Sequence, residues 1–268
     1  MNHKRGFPAF IAAFVFIFFF EFVWHGMLMK SLYMETASLW REQPMFPWLI
    51  PGQAVIAFAF TGLYVSKVGV NCPATGAGYG FVIGILCAGG DLIRFSVQPL
   101  TTKILWMWIA GGLIEFAVAG AIVGAIYKPL SSSPFKFMKR FIIAFVAAFI
   151  FTFFWGWLLN GVLLKDVYAQ TPSLWRSQSE MMSLFYWIII GQALVMIYAS
   201  GFAGGGVVAG IRLGVLLEIA AIGMRLAMYA VQPFPGKLIL YGSTAGLIEM
   251  IVTGAIVGAI YKRAVRHM

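Results

Sequence analysis

Several acidic side chains of this sequence stand inside apolar runs, where a charge can act only if something neutralises it. Seven ionisable residues fall inside stretches that are otherwise typical of membrane spans: Glu21, Asp91, Arg94, Glu115, Glu218, Arg225 and Glu249. An ionisable group is costly at the centre of a spanning helix, so each one needs a partner, water or a neutral form. We therefore expect these side chains to face protein and to include the site of any function.

Two helices carry polar side chains at helical spacing. One stripe is Cys87, Asp91, Arg94 and Gln98, and the other is Glu218, Arg225, Tyr229 and Gln232. When the two Val-Gln-Pro segments that end these stripes are aligned, Asp91 and Arg225 occupy the same position. The sequence consists of two similar halves, described below, and we predict that Asp91 and Arg225 form an ion pair across the interface between them. Such a pair has two possible roles, either fixing how the halves dock or serving as a gate or proton-linked site.

Glu115 and Glu249 lie in the same Gly-Leu-Ile-Glu setting, near the middle of two predicted helices. Five residues after each glutamate comes Gly-Ala-Ile-Val-Gly, a GxxxG pattern that permits close helix packing. At about 100° per residue the glutamate points away from that glycine face. Arg94 is a candidate partner for the carboxylate. A proton-coupled site and a quiet, hydrogen-bonded acid are equally compatible with this setting.

Glu21 and His25 stand one helical turn apart, a spacing that metal or haem ligands use. The second copy of the repeat has Gly156 and Asn160 at these positions, and a metal site needs three or four ligands. We expect no metal and no cofactor here, and interpret His25 as a hydrogen-bonded histidine near the membrane surface. The sequence has no Walker loop, no HExxH and no nucleophile with a paired base, so we expect that it is not an enzyme.

The segment Ser-Leu-Trp-Arg occurs in two predicted loops, which place Trp40 and Arg41 in one and Trp175 and Arg176 in the other. Tryptophan and arginine at a membrane boundary usually anchor a segment among lipid headgroups. The alternative is a pair of lids, or a docking surface for a partner, over the periplasmic mouth of the protein.

The elements that must position these residues are membrane-spanning helices. The chain has 268 residues, of which 61% are hydrophobic and 10% charged, whereas soluble domains carry about 25% charged residues. Runs of about 20 apolar residues are long enough to cross a bilayer as helices. Eight such runs predict an all-α polytopic membrane protein: Phe7–Met29, Trp48–Val65, Gly78–Val97, Ile104–Tyr127, Phe141–Leu164, Leu184–Phe202, Leu213–Val231 and Leu238–Tyr261.

The eight helices divide into two similar halves. Residues 112–128 and 246–262 differ at only three of seventeen positions, and Ser-Leu-Trp-Arg, Gly-Gln and Val-Gln-Pro also recur. This self-similarity predicts a tandem duplication of a four-helix unit. We assign residues 1–130 to the first unit, 131–137 to a cytoplasmic linker and 138–268 to the second unit. Because each unit has an even number of spans, the two should insert in the same orientation.

Charge sets the expected orientation in the membrane. Eleven basic residues fall on the side that holds both termini and six on the other, so the positive-inside rule places the termini in the cytoplasm. The net charge of +10 does not form a basic stripe with interleaved aromatic residues, which argues against nucleic acid. We expect a multi-pass protein of the bacterial inner membrane, with the lipid bilayer and other membrane subunits as candidate partners.

At Ser-Leu-Trp-Arg, Gly-Gln, Val-Gln-Pro and Gly-Leu-Ile-Glu the chain resembles a family of bacterial four-helix membrane proteins, a domain of unknown function, here doubled. The resemblance implies the architecture and a bacterial membrane. Two functions remain open from the residues. One is permeation of a small solute or ion along a path between the halves. The residues that would line this path are Asp91, Arg94, Glu115, Glu218, Arg225 and Glu249. The other is a non-catalytic accessory or assembly subunit of a larger membrane complex.

Overall fold

A computed structural model describes residues 3–68, 71–127, 139–191 and 206–260 of the protein. These residues form helices and connecting turns, with no β-strand among them. The helices are α1 (His3–Val23), α2 (Lys30–Met34), α3 (Phe46–Leu63), α4 (Pro73–Val97), α5 (Thr102–Ile126), α6 (Lys139–Gly156), α7 (Lys165–Tyr168), α8 (Gln178–Ser183), α9 (185–191), α10 (Val207–Val231) and α11 (Gly236–Ile260).

Seven helical segments are long and apolar enough to cross a membrane, and they correspond to seven of the eight predicted spans. The remaining predicted span, Leu184–Phe202, lies outside the described residues except at its start, where α9 is helical. The predicted linker 131–137 also lies outside the described residues. The prediction of an all-helical fold is therefore confirmed for the described residues, with seven helices that could cross a membrane.

The Val-Gln-Pro segments stop two of the long helices. Gln98 follows α4 and Gln232 follows α10, and both have extended backbones, with ψ of 145° and 143°. A residue before proline is pushed out of the helical region, so the proline sets where each helix ends. After the turn that connects α4 to α5, the Thr101 side chain caps α5 by accepting a hydrogen bond from the Ile104 amide. We call this end of the protein the Gln98 end.

Glycines allow neighbouring helices to pack backbone against backbone. In the first unit, Gly76 and Gly80 of α4 lie on the backbone of Gly120 and Phe116 in α5. In the second unit, Gly210 of α10 lies on Gly254 of α11 in the same way. An added Cβ at these glycines would overlap a backbone carbonyl group. The prediction that the GxxxG face packs against a neighbouring helix is thus confirmed in both units.

Helices also pack across the two units, and they do so reciprocally. Gly52 of α3 lies against Gly223 of α10, while Gly191 of α9 lies against Gly89 of α4. The loops follow the same rule. The amide of Arg41 donates to the carbonyl oxygen of Val231 at 2.7 Å, and the amide of Arg176 donates to that of Val97 at 2.8 Å. Each unit therefore binds the exposed carbonyl end of a helix in the other.

Gln98 and Gln232 meet at the centre of this arrangement. Their side chains are almost fully buried, and Gln98 Nε2 donates to Gln232 Oε1 at 3.3 Å. The two residues hold the same position in the predicted repeat. Equivalent residues can touch each other only near a symmetry axis. The contact thus lies where a pseudo-two-fold axis relating the units would pass.

Candidate functional site

The first helix widens where it carries His25. After Val23, α1 continues as a π-helical turn over Trp24–Leu28, a distortion that is frequent at functional sites. The Trp24 indole lies against Gly111 of α5 and donates to the carbonyl oxygen of Met107 at 3.1 Å. This contact fixes the π-helical turn against α5. It leaves His25 Nε2 at 3.5 Å from Glu21 Oε2, an ion-pair distance.

Tyr33 links His25 to α5. It belongs to the short helix α2, which follows the π-helical turn, and its hydroxyl lies 2.5 Å from His25 Nδ1. Trp108 of α5 donates its indole N–H to the same hydroxyl at 2.7 Å. His25 is therefore hydrogen-bonded, as predicted from the sequence. Burial raises the pKa of the Tyr33 phenol above its ordinary value, although the hydrogen bond from Trp108 lowers it, so this group stays protonated near neutral pH.

The hydrogen bonds have a direction. An indole N–H can only donate, so Tyr33 accepts from Trp108 and has its own proton to give. Met29 Sδ lies 3.6 Å away but is a weak acceptor, and we assign the proton to His25 Nδ1. A neutral His25 that accepts at Nδ1 carries its proton on Nε2, the nitrogen that faces Glu21.

Glu115 forms the other end of this array. It lies on α5 near the middle of the helix, only 4% of its surface is exposed, and the Glu21 carboxyl group of α1 is its neighbour. Among the residues that the structure describes, its Oε1 atom has no hydrogen-bond partner. We call the connected set Glu115, Glu21, His25, Tyr33 and Trp108 the polar chain. It runs from mid-helix in α5 toward the Gln98 end.

Asp91 and Arg94 flank the polar chain from α4. The Arg94 guanidinium carbon lies 5.5 Å from the ring centroid of Trp108, in a cation–π arrangement. Asp91 is its main charged neighbour, but no carboxylate of the described residues comes within ion-pair distance of Arg94. The expected pairing of Arg94 with Glu115 is wrong. Glu115 faces α1, whereas the Arg94 side chain follows α4 toward Trp108.

The second unit keeps the tyrosine contact but not the chain. Tyr168 donates to Asn160 Oδ1 at 2.6 Å, in the place of Tyr33 and His25. Asn160 in turn donates to the backbone carbonyl of Gly156, the residue that stands at the position of Glu21. An amide cannot pass a proton on as an imidazole does. Burial raises the pKa of Tyr168 to about 12, against the lowering effect of Arg225.

Arg225 forms an ion pair with Glu218, two turns earlier on its own helix. The predicted pair between Asp91 and Arg225 is therefore wrong. In the predicted repeat, the equivalent residues that touch each other are Gln98 and Gln232, not Asp91 and Arg225. The carboxylate of Glu218 lies over Gly246 of α11, where any side chain would collide with it, and the Arg225 guanidinium passes close to Gly242.

Glu249 lies close to this ion pair, since Glu218 and Arg225 are its charged neighbours. The structure thus brings Glu218, Arg225 and Glu249 together. It also brings Asp91 near Arg94, whereas Glu115 lies beside Glu21. A small cavity, with room for about one water, lies between α10 and α11 and is lined by apolar residues, glycines and Thr253, not by charges.

The four loop residues Trp40, Arg41, Trp175 and Arg176 make hydrogen bonds within the protein. Arg41 Nε donates to the carbonyl of Tyr229 at 3.2 Å, and Arg176 donates to the carbonyls of Phe95 and Leu100, both at 3.1 Å. Both arginines therefore bind helix ends of the opposite unit. Trp40 and Trp175 each donate to the threonine four residues before them.

Sequence reasoning missed Tyr33 and Trp108, which connect the polar chain. One signal could have found Tyr33, because Tyr168 matches it in the second unit. The only sign of Trp108 in the sequence is a difference between the halves, because Gly242 occupies the equivalent position of the predicted repeat. The sequence predicts no metal site at Glu21 and His25, because two residues alone do not make one. Among the described residues, no cluster of three or more metal-binding side chains occurs.

No family model, curated protein or solved structure matches this chain.

Proposed function

We propose that the protein is an inner-membrane ion-permeation protein in which the polar chain of the first unit carries protons. The observation that carries the proposal is the directional set of contacts from Tyr33 through His25 to Glu21, with the buried Glu115 carboxyl group beside Glu21. Carboxyl, imidazole and phenol groups in sequence are the usual components of proton relays in membranes. A relay of this kind needs hydrogen-bonded neighbours and no open cavity.

The proposal includes the wider architecture. It has eight spans in two parallel four-helix units, a domain-of-unknown-function fold doubled in one chain, with both termini in the cytoplasm. The reciprocal glycine and arginine contacts between the units support two equivalent halves. The positive-inside distribution supports the orientation.

The second unit provides matched controls for a test of proton flux. We expect His25→Asn to slow proton entry at least about tenfold, because asparagine keeps the bond to tyrosine, as Asn160 does, but takes up no proton. Tyr33→Phe should have the same effect, while Tyr168→Phe should leave the rate unchanged. The measurement uses proteoliposomes with an internal pH-sensitive dye and a potassium diffusion potential set by valinomycin. Equal rates for Tyr33→Phe and the wild type would refute the relay.

One observation favours the accessory-subunit alternative. The charges of the second unit are closed on one another, with Glu218 paired to Arg225 and covered by α11. Such an arrangement holds helices together and moves nothing. If liposomes containing the wild-type protein take up protons no faster than empty liposomes, while affinity purification yields a fixed membrane partner, this alternative replaces the relay.

A further inference from the structure

The Tyr33 hydroxyl has three polar neighbours among the residues that the structure describes. His25 Nδ1 lies 2.5 Å from it, the Trp108 indole nitrogen 2.7 Å and Met29 Sδ 3.6 Å. The indole can only donate, and a neutral His25 accepts at Nδ1. A thioether sulfur is a weak acceptor, so in this state the Tyr33 proton goes to His25 and the sulfur is left without it.

A protonated His25 reverses this arrangement. The imidazolium carries a proton on both ring nitrogens, so Nδ1 becomes a donor to the Tyr33 oxygen. That oxygen then accepts from His25 and from Trp108, and the hydroxyl proton turns away about the C–O bond. Tyr33 loses no proton in this step, and the single proton that His25 gains comes from the aqueous phase. Met29 Sδ is the one acceptor that the described residues offer to the turned hydroxyl.

The backbone holds Met29 beside this hydroxyl. Its amide closes the π-helical turn by donating to the carbonyl of Trp24 at 2.9 Å, and its own carbonyl accepts from the Tyr33 amide at 3.1 Å. Side chains four residues apart lie on the same face of a helix, so the sulfur and the hydroxyl meet. The Met29 side chain is also fully buried. The backbone, and not the hydroxyl, therefore sets the position of the sulfur.

The second unit has the same backbone but no sulfur at this place. Leu164 stands at the position of Met29 and is fixed by the same two backbone hydrogen bonds, at 2.8 and 3.0 Å. There Tyr168 donates to Asn160, whose own amide group donates to a backbone carbonyl. Asparagine takes up no proton, so Tyr168 never has to turn. Methionine thus occurs in the unit whose tyrosine faces a titratable partner, and leucine in the unit whose tyrosine does not.

We propose that Met29 Sδ is the alternate acceptor of the Tyr33 hydroxyl proton, to which the hydroxyl turns when His25 takes up a proton. The proposal rests on the polar chain being a proton relay, and it names the positioning residue that lets His25 hold a charge there. A substitution at Met29 leaves the other groups that act on this site in place. The titratable and charged groups that the described residues place near His25 and Tyr33 are Glu21 of α1 and Asp91 and Arg94 of α4, with Glu115 of α5 beside Glu21.

The test is the titration of His25 in the purified full-length protein in detergent, followed by the NMR shifts of nitrogen-15 in labelled histidine. His3 and His267 are replaced by glutamine, so that His25 is the only histidine of the chain. Met29→Leu should lower the pH at which Nδ1 becomes protonated by about half a unit or more, because the turned hydroxyl then lacks an acceptor. Met29→Gln, whose side-chain carbonyl accepts hydrogen bonds, should restore the wild-type value.

Matched variants separate this role from packing. A methionine that only fills the core would be replaced better by leucine than by glutamine, which is the opposite order. In a Tyr33→Phe background, Met29→Leu should no longer change the titration, because no hydroxyl remains to turn. Leu164→Met, at the equivalent position of the second unit, should leave the titration of His25 unchanged.

Three results would overturn the proposal: equal titration of Met29→Leu and the wild type, a lower midpoint for Met29→Gln than for Met29→Leu, or the same effect of Met29→Leu with and without the Tyr33 hydroxyl. The outcome is separable from the proton relay. Proton flux that depends on His25, with a titration that does not respond to Met29→Leu, refutes only the role of Met29. A titration that responds as expected, in a protein that carries no protons, refutes only the relay.

Discussion

At the scale of single residues, the structure shows that the ionisable groups inside the helices have different local surroundings. Glu218 takes a partner from its own helix, Glu115 lies against another carboxyl group, and Arg94 lies on a ring. These surroundings differ between the two units even where the sequence repeats. A substitution should therefore act through the immediate neighbours of the residue and not through its repeat equivalent.

The ion pair of the second unit gives a direct test at this scale. Arg225→Met leaves the almost fully buried Glu218 without its partner and should lower the free energy of unfolding by roughly 3–5 kcal/mol. The double variant Glu218→Gln, Arg225→Met should recover part of that loss. The measurement is denaturant unfolding in detergent, followed by circular dichroism.

Exchange of charge between Asp91 and Arg225 serves as the control. Since these residues do not pair, the double variant Asp91→Arg, Arg225→Asp should be at least as unstable as the worse single variant. Recovery of stability in the double variant would contradict the structure.

At the scale of the elements, close helix packing requires glycine only on the face where two helices touch. α4 carries glycines on both kinds of face. Gly80 lies on the backbone of Phe116 in α5, whereas nothing lies within 4 Å of a Cβ added to Gly78. The same helix thus contains a test position and its control.

Gly80→Ala should force α4 and α5 apart and destabilise the protein by roughly 1–3 kcal/mol, as overpacking does in protein cores. Gly78→Ala should be neutral or stabilising by about 0.5–1 kcal/mol, because alanine favours the helix. The thermal midpoint of the purified protein in detergent distinguishes the two. If the variants are equally stable, the contact between α4 and α5 does not have this geometry.

The features of the fold and the candidate site that could be predicted from the sequence are those that follow a periodic or local pattern. The spans are long apolar runs and the GxxxG faces follow helical spacing, so the sequence pattern alone predicted both. The Val-Gln-Pro segments end a helix through the local effect of proline on the backbone, which the sequence also indicates. The partner of Arg225 is Glu218, which stands on the same stripe of α10, so the spacing allowed this ion pair. The spacing did not show that Arg225 binds Glu218 and not Asp91, because that depends on how far apart α4 and α10 lie at these residues. Tyr33 was missed because its short helix folds back onto α5 from a loop, and no spacing within a span predicts that contact.

At the scale of the whole molecule, the arginines of the two loops hold the units together at the Gln98 end. Arg176 makes two hydrogen bonds to carbonyl oxygens of the first unit, and Arg41 makes one to the second. These bonds satisfy carbonyl groups that a helix end leaves open.

Loss of Arg176 should therefore cost more than loss of Arg41. We expect Arg176→Gln to lower stability by roughly 1.5–3 kcal/mol and Arg41→Gln by less. Hydrogen exchange should also quicken at the amide of residue 176, which donates to Val97. Glu180, exposed and 3.9 Å from Arg176, is the control, and Glu180→Gln should change stability by less than about 0.5 kcal/mol. A larger effect of Glu180→Gln than of Arg176→Gln would contradict this account.

Cys72 tests the proposed orientation of the whole chain, because it lies in the turn between α3 and α4, away from the Gln98 end. Hydrogen bonds from the Thr75 backbone and side chain lower the pKa of its thiol, so it carries more thiolate near neutral pH than an ordinary cysteine. In a Cys87→Ser background, a membrane-impermeant maleimide should label Cys72 only after the cells are permeabilised. Labelling of intact cells would place the termini outside. Thr75→Val should slow labelling of the permeabilised cells.

The reciprocal contacts between the units have a consequence for the history of such a chain. Arg41 reaches α10 while Arg176 reaches α4, and Gln98 meets Gln232, which is the contact pattern of an isologous dimer. A shorter ancestor with a single unit would have made every one of these bonds with a second copy of itself, and its assembly would have depended on its abundance in the bilayer. Fusion of two such copies would make that association intramolecular. It would also allow one half to lose a residue such as His25 while the other half keeps it.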